Sequence, residues 1–422
     1  MTSIFSRLSL SLLLLSGPFL LLSVRGFAPM LVLSGICAVL AQISQGREIH
    51  AINASDTISK RVWQPNAIPL TTLAFLVASA FWGISERAGE TAFRLLLVLA
   101  FMVAIPAMFQ RLDTQIQQKW AHYLTLSMSF GVISSLIIGP YNLYWPELGE
   151  LLSDYLELLR QVNASLAILP VFLFLLLAQI KTARPFWRFG GIGLILALAL
   201  VVTAVSKSQT SLWSMLLGLS ALGLASLSIR LCRNIIFVAI LAATLLAPFV
   251  FTAAYEQKWV ERFTPSLIQQ QASGQTRSFL YYVFSQESLK RPVFGHGINA
   301  SKYFVPETLD DYVRLTHDRP KAAKKVRQWQ KNGGFASHAH NIFLQIIFEV
   351  GYLGALLVLA TIWQFLRRLE AHTVATQGAP LIWGSVGAGL GSLMFGYTIW
   401  HSWLMAALAF MVVFGRLTRP RL

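Results

Sequence analysis

The stretch Ser337-His338-Ala339-His340-Asn341-Ile342-Phe343-Leu344-Gln345-Ile346-Ile347-Phe348-Glu349-Val350-Gly351-Tyr352-Leu353-Gly354 decides how the rest of the chain is read. A polar segment over roughly 254–336 ends at it, and an apolar run long enough to cross a bilayer begins within it. Two histidines, His338 and His340, stand at that junction of water and lipid. A neutral imidazole there reaches a water-soluble group while a lipid-linked one stays in the bilayer.

Composition agrees with this reading. Hydrophobic residues make up 55% of the 422 and charged residues 12%, and mean hydropathy is +0.59. Soluble domains carry about 25% charged residues, so the composition excludes an ordinary soluble enzyme and points to a polytopic membrane protein. The two cysteines, Cys37 in an apolar run and Cys232 in a short basic turn, lie outside the polar loop and imply no disulfide framework.

A bilayer core needs about 20 apolar residues per helix. The runs that qualify are 8–24, 28–44, 67–84, 90–108, 121–140, 165–181, 188–206, 210–228, 234–253, 341–366, 379–396 and 398–416. The expected fold is therefore all-α, an integral membrane bundle of about twelve transmembrane helices with one large helical loop. It divides into 1–253 (nine helices), 254–340 (the loop) and 341–422 (three helices). The first run follows Arg7 and leads into the second without a small-residue cleavage pattern, so it reads as a retained helix.

Lysine and arginine placement predicts the orientation. With a cytoplasmic N-terminus, the cytoplasmic segments hold 16 of the 34 basic residues, the short opposite segments five, and the long loop 13. That asymmetry predicts both termini in the cytoplasm and the loop outside it. The loop, Ser206–Thr210 and Tyr397–Trp403 then share the non-cytoplasmic side. ATP and nucleotide sugars are scarce in a bacterial periplasm, and the chain has no Gly-rich phosphate loop ending in Lys-Ser/Thr. A reaction there draws on an already activated substrate.

The loop's 13 basic residues outnumber its seven acidic ones. Gln275–Arg291 spaces Phe279, Tyr282, Val283 and Leu289 helically, and Pro292 ends that run. Phe294-Gly295-His296-Gly297 reads as a tight turn, and Leu309–Asn332 as a second, strongly basic helix. The loop is expected to form a helical cap. Its basic run fits a solvated face or anionic headgroups as well as a polyanionic partner. Asp310-Asp311, without a third ligand, reads as ordinary surface, and no metal cluster is expected.

Three features on the non-cytoplasmic side could carry chemistry. Lys207, in Ser206-Lys207-Ser208-Gln209-Thr210, reads alone as a snorkelling helix-end lysine, yet its hydroxyl and amide neighbours suit a phosphate. Arg277 sits near the start of the loop helix, where anions are favoured, or in a surface ion pair. His340 opens the helix after the loop and reads alone as a cap or interface residue. His340 shares a helical stripe with Leu344, Ile347, Gly351 and Gly354, whose glycines are expected to permit close helix approach. Glu349 lies about 13 Å deeper and is expected to be a buried, hydrogen-bonded group rather than a partner of the histidine. His338 remains an alternative to His340, and His401, between Trp400 and Trp403, reads as part of an aromatic belt.

These residues resemble the O-antigen ligase/polymerase superfamily of bacterial inner-membrane glycosyltransferases. The family pattern is His, then Asn/Ser/Gln, nine residues, Gly, two residues, then Gly/Thr/Tyr; His340-Asn341, Gly351 and Gly354 match it completely. Many members have a Ser-Arg/Lys turn before a helix, here Ser206-Lys207. Many also have an Arg early in the loop followed by Pro-x-x-Gly-x-Gly, here Arg277 and then Pro292, Gly295 and Gly297. Lys207 departs from the commoner Arg, which removes bidentate phosphate binding there. Chain length and the single dominant loop resemble the O-antigen ligase branch.

The resemblance implies an undecaprenyl diphosphate-linked O-antigen donor and a lipid A–core acceptor, joined by a single inverting displacement without a metal or other cofactor. His340, or His338, would be the general base, and Arg277 and Lys207 would bind the diphosphate. Ser206, Ser208, Gln209, Asn341, Gly295 and Gly297 would support them. It also implies an inner-membrane location with the site facing the periplasm, membrane lipids as partners, and no nucleic acid. An O-antigen polymerase or a protein O-oligosaccharyltransferase of the same superfamily is the nearest alternative. A transporter for a polyanionic lipid is an alternative of another class; it predicts midplane charges and symmetry between halves, and the chain offers Glu349 but no obvious repeat.

Overall fold

The computed structural model describes residues 3–44, 67–138, 153–179, 185–206, 208–259, 272–306, 324, 327, 339–374, 376, 378–395 and 398–418. Among them every regular element is helical, as expected of backbone that must satisfy its own hydrogen bonds away from water. The helices are α1 (Ile4–Leu13), α2 (Ser16–Leu22), α3 (Phe27–Ser44), α4 (Ala67–Ala78), α5 (Ala88–Gln110), α6 (Thr114–Ile138), α7 (Ser153–Leu177) and α8 (Pro185–Val205). They continue as α9 (Gln209–Leu227), α10 (Ile229–Glu256), α11 (Ala272–Lys290), α12 (Ala300–Tyr303), α13 (Ile342–Thr373), α14 (Ala379–Phe395) and α15 (Ser402–Leu417).

Five helical stretches among the described residues are long and apolar enough to cross a membrane: Val24–Ser44, Ala88–Gln110, Gln209–Leu227, Ile229–Glu256 and Ile342–Thr373. Shorter apolar helices surround them. Their outward faces carry Val103, Phe130, Leu198 and Val238, each more than half exposed. So large an exposed apolar surface suits lipid and not water, and the chain is a membrane protein. The first apolar run departs from expectation: α1 and α2 are separate helices. The chain turns where Gly17 meets α6 so closely that a Cβ on it would collide with the Ser127 carbonyl.

Two apolar cores organise the fold. One centres on Phe27, Phe172 and Phe410, whose rings lie 5.5–6.0 Å apart. The other lies between α10, α11 and α13 and centres on Phe348, whose ring meets Phe284 at 4.9 Å and Phe304 at 5.0 Å. Helices α9 and α14 run in close contact, with the Ser214 hydroxyl donating to the Ala388 carbonyl at 2.7 Å. Cys232 is buried within α10 rather than in a turn, and it donates weakly to the Ala221 carbonyl.

The reading of α13 as one continuous helix is corrected by the structure. Gly351 has φ +64° and ψ −174°, so the helix breaks there into two parts joined at a kink. The helical bonds that Tyr352 and Leu353 would make to the Phe348 and Glu349 carbonyls are open. The segment after α11 takes their place. Tyr352 N–H donates to the Pro292 carbonyl at 2.7 Å and Leu353 N–H to the Val293 carbonyl at 3.2 Å. The Phe348 and Glu349 carbonyls accept from the His296 and Gly297 amides at 2.9 and 2.7 Å. Two helical bonds are thus exchanged for four bonds to the loop, which leaves no orphaned backbone at the break.

The same segment wedges against the α4–α5 turn: Ile84 N–H donates to the His296 carbonyl at 3.0 Å and Ile298 N–H to the Ser79 hydroxyl at 3.2 Å. The described loop is therefore more than a cap, because residues 292–299 are built into the body of the bundle. Gly354, by contrast, does allow a close approach, since a Cβ there would stand 2.7 Å from the Phe75 ring of α4.

Candidate active site

Tyr281 ties the helix that carries Arg277 to the segment that carries His340. Helix α11 carries Arg277 and, one turn later, Tyr281 on the same face. The Tyr281 hydroxyl donates to the His340 carbonyl at 3.2 Å. Burial pushes the Tyr281 phenol above its ordinary range, and the nearby Arg277 guanidinium pulls it partly back. Tyr281 is braced from behind by Phe251 of α10, ring centres 4.6 Å apart.

His340 has φ +53°, a left-handed conformation that non-glycine residues rarely adopt. It is partly buried, at the point where the chain turns from loop into α13. Asn341 is the N-cap: its side-chain oxygen accepts the Phe343 and Leu344 amides at 3.0 and 3.1 Å. The His-Asn pair thus has a local logic. The asparagine fixes where the helix starts, and the left-handed residue before it turns the imidazole segment toward α11.

Ser206, Ser208 and Gln209 flank Lys207, which lies outside the described residues, as do His338, Asp310, Asp311 and nearly all of Leu309–Asn332. The Ser206 hydroxyl donates to the Thr203 carbonyl of its own helix at 2.9 Å. Ser208 is the N-cap of α9 and accepts the Ser211 amide at 3.4 Å, and Gln209 is the exposed first residue of that helix. The described bonds of Ser206 and Ser208 organise the turn locally and tie it to neither Arg277 nor His340.

Gly295 and Gly297 act through the backbone. Both have positive φ, +66° and +92°. Their amides donate to the Arg291 and Glu349 carbonyls at 3.0 and 2.7 Å. Between them, His296 stacks on Phe348 at 4.3 Å, and its Nδ1 lies 3.1 Å from the Phe348 carbonyl. A carbonyl only accepts, so the ring carries its proton on Nδ1. Burial is the main cause that holds its proton affinity below the ordinary imidazole value.

Glu349 is the most heavily bonded side chain of the region and is 1% exposed. One oxygen accepts from the Ser301 hydroxyl at 2.6 Å, the Ser301 amide at 3.3 Å and Gln345 at 2.9 Å. The other accepts from the Asn299 amide at 3.2 Å and from the Trp400 indole N–H. Gln345 also donates to Thr398 at 2.7 Å. One carboxylate therefore joins α12, α13 and the turn before α15, as a structural hub and not as a partner of His340. Sequence reasoning missed Tyr281, although it stands four residues after Arg277 on an expected helix. It also missed Asn299, Ser301 and Trp400, whose roles arise only from tertiary contact. Among the described residues, no group of three His, Cys, Asp or Glu side chains is placed to hold a metal ion.

Residues 192–359 match the sequence model of a family described as O-antigen ligase. That span takes in the Ser206–Gln209 turn, Arg277, the Pro292–Gly297 segment and the His340–Gly354 motif. A protein of Rickettsia prowazekii named "Putative polysaccharide ligase" is 24% identical over 225 residues, covering 52% of this chain and 50% of the relative. A protein of the same name from Rickettsia typhi is 22% identical over 228 residues, covering 52% and 50%. The chain spans about half the length of the curated relatives it matches. No solved structure matches the chain. Residues 192–359, which hold the broken helix and the His-Asn cap, are thus similar to the O-antigen ligase family.

Proposed function

We propose that this protein is a glycosyltransferase that moves O-antigen polysaccharide from undecaprenyl diphosphate to lipid A–core at the periplasmic face of the inner membrane. The observation that carries this reading is the Tyr281–His340 hydrogen bond, which holds the Arg277 helix against the imidazole segment. A cation for a departing diphosphate and a base for an incoming hydroxyl are the two groups that a displacement at an anomeric carbon needs.

The reaction is a single inverting step. The His340 imidazole takes the proton of an acceptor sugar hydroxyl as that oxygen bonds to the anomeric carbon. The bond from that carbon to the diphosphate oxygen breaks with its electron pair, and undecaprenyl diphosphate leaves. Arg277, together with Lys207, stabilises the charge gathering on the leaving group. The donor is already activated, so no nucleotide enters the reaction, and the two cations take the part that metal ions play in many nucleotide-sugar enzymes.

An O-antigen polymerase or protein O-oligosaccharyltransferase would run the same displacement on a different acceptor. Glu349, the midplane charge that a transporter would use, is enclosed by donors from three segments, an arrangement that suits a structural group better than one that releases a cargo. The test is reconstitution of the purified protein with the two lipid-linked substrates and no nucleotide. Formation of the joined product, undiminished by EDTA, is expected. Folded protein that forms no product with either acceptor class would contradict the proposal.

A further inference from the structure

Away from Arg277 and His340, a second set of basic side chains converges from distant parts of the chain. Arg25 lies in the 3₁₀ turn Val24–Gly26, Lys302 in α12, and His401 at the N-cap of α15. Their neighbours fix them in space. Ser301, beside Lys302, donates to one oxygen of Glu349, and Trp400, beside His401, donates to the other. Helix α15 packs against the Val24–Gly26 turn. Arg25 and Lys302 are exposed and His401 is half-buried, its ring stacked on Trp403 at 6.2 Å.

The electrostatics agree with this placement. The proton affinity of His401 is depressed by burial first, then by Lys302 and Arg25. Both cations therefore act on this imidazole. Gathering like charges around a titratable ring is unfavourable, and a bound anion relieves it. A guanidinium, an ammonium and an imidazole N–H together offer the directed donors that a phosphate accepts. Arg25 and His401 lie at the starts of the apolar helices α3 and α15, where lipid headgroups meet such helices, and Lys302 lies in the short α12.

We propose that Arg25, Lys302 and His401 form a subsite for a phosphate group carried on a membrane lipid. Assigning that lipid as the glycan acceptor rests on the function proposed above. The recognition of a lipid-borne phosphate does not. Glu349 ties the two flanks of the subsite, through Ser301 and Trp400, to α13.

The test is lipid binding to the full chain in nanodiscs of neutral phosphatidylcholine. Diphosphoryl lipid A, dephosphorylated lipid A and phosphatidylglycerol are titrated against the wild type, Lys302→Ala, Lys302→Arg and the Arg25→Ala/Lys302→Ala double variant. The double variant is expected to bind diphosphoryl lipid A about tenfold more weakly, Lys302→Arg to keep most of the affinity, and dephosphorylated lipid A to be insensitive to every substitution. Equal loss for phosphatidylglycerol makes the bilayer phosphate the occupant, and loss confined to lipid A makes it the acceptor; both support the subsite. Affinity for diphosphoryl lipid A that is unchanged in the double variant, or an equal loss for the dephosphorylated form, overturns it. Glycan transfer by the same preparations separates the two ideas. Phosphate-dependent binding without transfer leaves the subsite standing and removes the proposed reaction. Transfer without phosphate-dependent binding does the reverse.

Discussion

Gly351 fills the space that a side chain on Gly295 would need, and the Val293–Phe294 backbone just before Gly295 fills the space that one on Gly351 would need. A Cβ on Gly295 would stand 2.6 Å from the Gly351 amide nitrogen, and one on Gly351 would collide with the Val293 carbonyl and lie 2.7 Å from the Phe294 nitrogen. Both have left-handed φ, +66° and +64°. The two glycine elements of the sequence, Pro-x-x-Gly-x-Gly and the glycine ten residues after Asn341, are therefore the two sides of one backbone junction.

Gly351→Ala combines a strained φ, which costs about 1–3 kcal/mol, with a collision against backbone that cannot yield. It is expected to lower the unfolding temperature of the detergent-solubilised protein markedly and to abolish transfer. Gly89→Ala, whose Cβ would meet nothing within 4 Å, is the control and is expected to leave both unchanged. Equal melting of Gly351→Ala and the wild type would show that the helix tolerates closure of the break.

Tyr281→Phe removes one hydroxyl and keeps the ring contact with Phe251. A hydrogen bond of this kind contributes about 1 kcal/mol, so transfer is expected to slow about fivefold at saturating substrates. The unfolding temperature is expected to change little. A wild-type rate would show that the His340 backbone holds its conformation without Tyr281.

His296 gives a pH dependence with a definite sign. Its proton affinity is lowered in the folded protein, chiefly by burial. Below the ordinary imidazole value of about 6.5 the unfolded chain takes up a proton that the folded chain resists. Stability is therefore full above that value and falls as the pH drops through it toward the folded value, by at most about 1.4 kcal/mol per pH unit for this group. His401, also lowered, adds a slope of the same sign. Unfolding measured between about pH 5 and pH 8 is expected to show this loss, smaller but not absent in His296→Leu. A slope identical in His296→Leu and wild type would remove His296 as its source.

The apolar runs made the helices legible, because runs of leucine, valine and phenylalanine between charged segments have few other solutions. The helix over 275–291 and the turn at Phe294–Gly297 were legible for the same local reasons: apolar spacing, a terminating proline and paired glycines. The break at Gly351 was not legible. A lone glycine in an apolar run reads as a packing surface, and only the Pro292–Gly297 segment, distant in sequence, makes the broken form the favourable one. Glu349 was legible as a buried, bonded group from its depth alone, but its partners Ser301 and Trp400 were not. Tyr281 sat in view one turn beyond Arg277, and nothing local said that its hydroxyl would find the His340 carbonyl.

In the proposed reaction the His340 imidazole takes the acceptor proton. The direct measurement is single-turnover transfer by purified His340→Ala with the lipid-linked donor and acceptor, beside the wild type at equal abundance and equal unfolding temperature. A loss of about a hundredfold or more is expected for a missing general base. Transfer at the wild-type rate by a folded His340→Ala protein would show that His340 is not the base.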